Sequence, residues 1–322
     1  MSVATANASR WRGQKGHYEA WHLRAADPSG AAGAWIRMGF HVPAEEAPGE
    51  PLAEVWFVGR DDLGAGYARS QTFALDSFQT GAGGFPVQLG SCRLEEGAAS
   101  GALDEARWEL RWQRRGEALD YGGESRLRRS EAVTSQPVIS VSGSLAIGDR
   151  RIELAGWPGH QLHAWGARHA ERWARLHCAS LDVPGDFVEV STRRIAGPGG
   201  LAAPVTLGAA RLTGVEFSAG DSARGLASRA RFAPDRYEFT VRGVRARLTG
   251  LVRCDPADLI GVTHHDPDGG RVFAYQTDRA GLKARLERRT ARGWRTAAEL
   301  TADRVAYEFA ERAPVPGIEV VL

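Results

Sequence analysis

Along much of this chain, apolar and polar residues alternate one by one. Between residues 35 and 42, Ile36, Met38, Phe40 and Val42 alternate with Arg37, Gly39 and His41. Between 107 and 112, Trp108, Leu110 and Trp112 alternate with Arg107, Glu109 and Arg111. A period of two sends successive side chains to opposite faces of an extended backbone, so each run reads as a strand with one buried face. Similar runs occupy residues 54–58, 138–147, 187–195, 237–241, 271–275 and 305–309. Gly, Pro, Asp and Ser clusters at 27–30, 81–84, 148–149, 197–200 and 266–270 separate them as turns. Many short strands with frequent turns predict an all-β sandwich or barrel. Residues 164–176 carry good helix formers interrupted by Gly166 and read equally as helix or strand, whereas 282–290 alternates as a strand.

A length of 322 residues suits two β domains or one large one. The expected boundary is Gly156-Trp157-Pro158-Gly159, where Pro and Gly interrupt strand pairing. The two halves, 1–156 and 157–322, each have the length of a small closed barrel, a shape that removes exposed strand edges.

Composition narrows the function classes. Arginine supplies nearly all the positive charge, Lys15 and Lys283 being the two lysines, but acidic residues balance it to a net +2. No isolated basic block marks a nucleic-acid surface. The residues Cys92, Cys178 and Cys254 are too few and too scattered for a disulfide framework. The first ten residues lack the apolar stretch of a signal peptide, and no run reaches the ~18 apolar residues of a membrane span. A cytoplasmic location is the expectation. No GxGxxG after a strand, GxxxxGK[ST] or GxSxG motif occurs, which disfavours nucleotide-cofactor enzymes and α/β-hydrolases.

The chemistry concentrates between Trp157 and Cys178, which holds His160, His163, His169 and His177, four of nine histidines, with Trp165 and Trp173. Histidine exchanges protons near neutral pH, and a tryptophan face stabilises positive charge on an apolar substrate. In an extended segment His163 and Trp165 point the same way, which puts them in one pocket. The alternative is that these residues pack a barrel mouth, each histidine bonded to backbone. His160-x-x-His163 with His169 or the His177-Cys178 pair matches no standard zinc spacing, so no metal is expected. Glu19 and Arg37 lie on two segments that read as a hairpin across the 27–30 turn, where they form an ion pair that faces either the interior or solvent. His264-His265-Asp266 reads as turn chemistry, and Glu308 as an acid in an apolar strand, buried or facing outward.

Three stretches, residues 16–40 (GHYEAWHLRAADPSGAAGAWIRMGF), 157–182 (WPGHQLHAWGARHAERWARLHCASLD) and 281–312, resemble the AttH/CrtC-like lipocalin-like proteins, which include carotenoid 1,2-hydratases and, more distantly, tocopherol cyclase-like proteins. The resemblance implies two calycin-type antiparallel β-barrels packed together around an apolar ligand pocket, acting without a redox cofactor. His163-Ala164-Trp165 looks like the His-x-Trp of the carotenoid hydratases, but no Tyr-x-Asp follows it in the corresponding region. The expected function is a cofactor-independent cyclase, isomerase or hydro-lyase acting on a hydrophobic isoprenoid or polyketide-like small molecule. In that reading His163, Glu19 and Arg37 are the catalytic candidates, and Trp165, Trp173, His160, Trp21 and His177 bind substrate. The alternative function is a non-catalytic binding protein for a lipid or pigment.

Overall fold

The computed structural model describes residues 2–115, 119–120, 130–179, 181–196, 202–220 and 222–322; the turn expected at 197–200 lies outside them. The alternating runs fold into two antiparallel sheets. The first holds β1 (His17–Ala26), β2 (Gly33–Val42), β3 (Leu52–Arg60), β4 (Gly66–Ala74), β5 (Phe78–Thr80), β6 (Val87–Leu89), β7 (Cys92–Leu94), β8 (Ala98–Leu103), β9 (Ala106–Arg114), β10 (Leu119–Asp120), β11 (Ser130–Ile147) and β12 (Arg150–Gly166). The second holds β13 (Arg172–Cys178), β14 (Phe187–Ala196), β15 (Ala202–Leu212), β16 (Val215–Ala219), β17 (Arg229–Ala233), β18 (Arg236–Arg242), β19 (Ala246–Arg253), β20 (Ile260–His265), β21 (Arg271–Thr290) and β22 (Gly293–Glu311). Two short helices, α1 (Val3–Asn7) and α2 (Ser222–Ala227), complete the regular structure. Each strand run expected from alternation lies inside one of these strands, including 282–290 within β21.

Strand order is β4-β3-β2-β1-β12-β11-β9-β8-β7-β6-β5 in the first sheet and β16-β15-β14-β13-β22-β21-β19-β18-β17 in the second. The end strands of each order are consecutive in the chain, joined by the Leu75–Ser77 3-10 turn in one sheet and by α2 in the other. Strands far apart in each order also approach one another, β4 with β8 and β16 with β19, so each sheet curls into a barrel around its own apolar core without its end strands pairing among the described residues. Trp21, Met38, Phe40, Phe57 and Trp108 fill the first core, and Leu176, Tyr237, Phe239, Tyr275 and Phe309 the second. The two barrels are the lipocalin-like pair expected from the sequence.

The outer faces of β1, β2 and β12 pack against those of β13, β20, β21 and β22. An apolar cluster of Trp35, Trp56, Val58, Trp173, Val262 and Val272 lies between them. Burying side chains of this size contributes roughly 1.5–3 kcal/mol each, so this seam is comparable to a small core. Polar bonds flank it: Arg24 Nε donates to Asp278 at 2.5 Å, and the Ala44 amide donates to the Pro267 carbonyl at 2.7 Å.

One open reading is settled and one expectation is corrected. Residues 164–176 form no helix; they are the end of β12, a turn and the start of β13. Pairing is not interrupted at Gly156-Trp157-Pro158-Gly159 either, because β12 runs through to Gly166 and the second sheet begins at Arg172. What happens at Gly156 is a bulge. Leu154 pairs with Gly143 and Trp157 with Val141, so β12 has one more residue than β11 over this stretch. Gly156 takes φ +72°, a conformation costly for any residue with a Cβ. The extra residue switches the parity of β12. Ile152 and Leu154 face the first core before it, and Trp157, Gln161 and His163 face inward after it. His160 and Leu162 are thereby turned toward the second barrel. A Gly156→Ala substitution is expected to destabilise the protein by about 1–2 kcal/mol, read as a lower urea midpoint at unchanged m-value.

Candidate active site

The parity switch divides the expected site residues between two interiors. On the inward face, His163 Nε2 lies 2.8 Å from Glu19 Oε1, and its Nδ1 donates to the Ala6 carbonyl at 2.9 Å. The Trp21 ring stacks on His163 at 4.7 Å and Trp165 lies 4.8 Å away. Glu19 also accepts from the Ser9 hydroxyl and from the Arg10 and Trp11 amides. Burial alone would raise this carboxyl, but the bonds from His163 and His17 outweigh it and hold it at about 2. Four of the eight expected residues, Glu19, His163, Trp21 and Trp165, thus lie together on this face. Their partners are the N-terminal arm, and both nitrogens of His163 are engaged by protein.

Arg37 does not join Glu19. In the β1–β2 register Glu19 faces Phe40 and His22 faces Arg37, so the two charged residues lie on opposite sheet faces. Arg37 pairs instead with Glu54 and covers the Trp56 ring at 4.3 Å. Nor can His160 and His163 share a metal ion, since they too point opposite ways; among the described residues no group of three His, Cys, Asp or Glu is placed to hold one.

The outward face opens on a cavity between the barrels, with about 100 Å³ of interior room and about 870 Å³ when its mouth is counted. Five of the nine histidines line it: His22, His160, His169, His177 and His264. Trp35 and Trp173 form apolar walls, and Tyr18, Arg175 and Glu308 add polar groups. Three of the expected substrate-binding residues, Trp173, His160 and His177, therefore stand here. Glu308 faces this space and accepts from Trp173 Nε1.

The cavity histidines are held differently. His177 is tied on both nitrogens, to Glu189 Oε2 at 3.1 Å and to the Pro137 carbonyl at 2.7 Å. Burial opposes the charge on Glu189, but Arg175 and His177 hold its carboxyl at about 2. His22 Nδ1 accepts from Trp35 Nε1 at 2.9 Å. His169 rests against Tyr18 at a ring separation of 3.9 Å, and its Nδ1 lies 2.7 Å from Asp266 Oδ1. Asp266 is fully buried, also accepts the His169 amide, and is fixed by Arg312. Burial, with nearby positive charge, pushes His22, His160 and His264 well below the usual imidazole range. His169 is lowered by burial too, against the upward pull of Asp266. Burial also pushes the Tyr18 phenol up to about 12.

Sequence reasoning did not single out His22 or Tyr18, kept His169 in the histidine cluster without a role, and read His264 and Asp266 as turn residues. Alternation along β1 could have found the first two, because they share the parity opposite to Glu19. The other three sit at strand ends and in turns that only the packing of the barrels brings together.

These depressed imidazoles fix the sign of a pH effect. They stay neutral in the folded protein, while the unfolded chain takes up protons below about pH 6.5. Their contribution is complete above that value and is lost as pH falls toward the folded values. Unfolding free energy is expected to drop between pH 7 and 5, and His160→Phe to flatten that slope by up to about 1 kcal/mol per pH unit, checked by urea titrations across the range.

No protein-family model matches the chain. An uncharacterized protein of Mycobacterium tuberculosis is 26% identical over 292 residues, spanning 86% of this chain and 83% of that protein. Among solved structures, an AttH-type protein of Nitrosomonas europaea superposes with a TM-score of 0.57 at 12% identity, covering 92% of this chain and 93% of the other. Kievitone hydratase of Nectria haematococca gives 0.54 at 9% identity over 93% and 89% of the two chains. CghA, solved with Sch210972, gives 0.56 at 11% identity over 92% and 88%. Likeness of this kind along nearly the whole length gives this chain the two-barrel fold of the AttH/lipocalin-like proteins.

Proposed function

We propose that this protein is a cofactor-independent proton-transfer enzyme of the hydro-lyase, cyclase or isomerase type. Its substrate is a small apolar molecule that carries an oxygen function, and the reaction takes place in the cavity between the barrels. The observation that carries the reading is the company kept by the cavity histidines. Five imidazoles stand with Trp35 and Trp173 around one cavity, and burial holds those of His22, His160, His169 and His264 below the usual imidazole range, which favours their neutral form. A neutral imidazole there accepts a proton without first losing one, and an unprotonated one is the form that general-base catalysis needs at neutral pH. Indole and phenol faces hold an apolar skeleton and stabilise positive charge developing on it.

The fold supports the same reading. Its structural neighbours include a hydratase and CghA, the latter solved with a small molecule bound. Within this proposal Trp35 and Trp173 bind the apolar part of the substrate, with His160 beside them. His177, anchored to Glu189 and Pro137, fixes the seam between the barrels. Glu19 and His163 hold the N-terminal arm across the first barrel, and Arg37 braces Trp56 at the edge of the seam.

Incubation with a panel of apolar alkenes, alcohols and ketones in deuterium oxide tests this. Proton transfer in the cavity is expected to place deuterium on carbon in at least one compound, read by mass spectrometry. The double substitution His22→Phe/His169→Phe is expected to slow it by roughly 10²–10⁴-fold while leaving the fold intact. No incorporation across the panel, with an apolar molecule co-purifying from the source cells, would instead make the protein a binding protein.

A further inference from the structure

Two histidines that line the cavity are held in opposite tautomers. The Trp35 indole can only donate, so His22 Nδ1 must accept, and a neutral ring then carries its hydrogen on Nε2. Asp266, a carboxylate held well below its usual range by His169 and Arg312, can only accept. A neutral His169 therefore carries its hydrogen on Nδ1 and keeps the Nε2 lone pair. His169 Nε2 has no hydrogen-bond partner among the described residues, and neither has His22 Nε2. Within one cavity His169 thus offers a lone pair and His22 an N–H. A carboxylate fixing the far nitrogen of a histidine is how a general base is oriented in unrelated enzymes.

We propose that His169 is the general base of the cavity, Asp266 its positioning residue and His22 a hydrogen-bond donor to the same substrate, and that the substrate is a β-hydroxy carbonyl compound or the enone formed from it. This deepens the proton-transfer reading given above and rests on it. His169 Nε2 removes the proton from the carbon beside the carbonyl. The C–H electron pair moves onto the carbonyl oxygen, giving an enolate that accepts a hydrogen bond from His22 Nε2–H. The enolate pair then forms the C=C bond and expels the β-hydroxyl, which takes the proton back from His169 and leaves as water. The reverse sequence hydrates the enone. No electron acceptor or donor enters in either direction. Tyr18 stacks on one face of the His169 ring and, with the Asp266 bond, restrains its rotation.

The tautomers can be read without turnover, so their failure is separable from failure of the enzymatic reading. Protein labelled with ¹⁵N-histidine is expected to show, at pH 7, a protonated Nδ1 and an unprotonated Nε2 for His169, and the reverse for His22. Asp266→Asn is expected to abolish the single-tautomer state of His169. Trp35→Phe, which keeps the aromatic wall, is expected to do so for His22 and stands as the second test where Asp266→Asn does not fold. Diethyl pyrocarbonate is expected to label His169 ahead of His163 and His177, whose nitrogens are engaged. Addition of 2-cyclohexenone is expected to shift the His22 Nε2 proton. A His169 protonated on Nε2, a His22 protonated on Nδ1, or a His22 resonance unmoved by saturating 2-cyclohexenone would overturn the assignment.

Discussion

Because side chains alternate across an extended backbone, β1 and β12 serve two interiors at once. One face fills the first barrel and the other forms half of the seam with the second. Which residues go where is decided by the single extra residue at Gly156, which shifts every later position of β12 by one. With a regular pairing, His160 and Leu162 would point into the first core and His163 into the seam. The bulge reverses this, and the cavity chemistry depends on it.

The two faces are organised by the same device, a buried carboxylate that collects donors from distant parts of the chain. Glu19 gathers the N-terminal arm and His163; Glu189 gathers Arg175, His177 and, through Thr134, β11 of the other barrel. Removing one partner from such a buried cluster typically costs about 3–5 kcal/mol, since the remaining charge is stranded. Asp266 differs in one respect. The second ring nitrogens of His163 and His177 are bonded to backbone carbonyls, whereas that of His169 has no partner among the described residues and is left to the cavity. That asymmetry distinguishes a group available to a substrate from one that is part of the frame.

Much of the fold was legible in the sequence because alternation is a local property. The strands around Trp35, Trp108 and Tyr237 follow directly from it. The site was less legible for three physical reasons. A bulge is a one-residue event, and the Gly and Pro that accompany it look like a boundary. Hairpin register cannot be inferred from turn position alone, so Arg37 was matched with Glu19 when it lies across from His22. A cavity between two barrels draws on residues far apart in the chain: Asp266 is a turn residue by its neighbours, and only the packing of β20 against β13 makes it the partner of His169.

The central claim is that the face of β12 carrying His160 and Leu162, not the face carrying His163, meets the ligand. Labelling the protein with 5-fluorotryptophan and titrating with 1-indanone measures this directly by ¹⁹F NMR. The account predicts that the Trp35 and Trp173 resonances move and saturate together, while Trp21 and Trp165 stay in place. Movement of Trp21 and Trp165 with Trp35 and Trp173 unchanged would contradict it and put the ligand inside the first barrel.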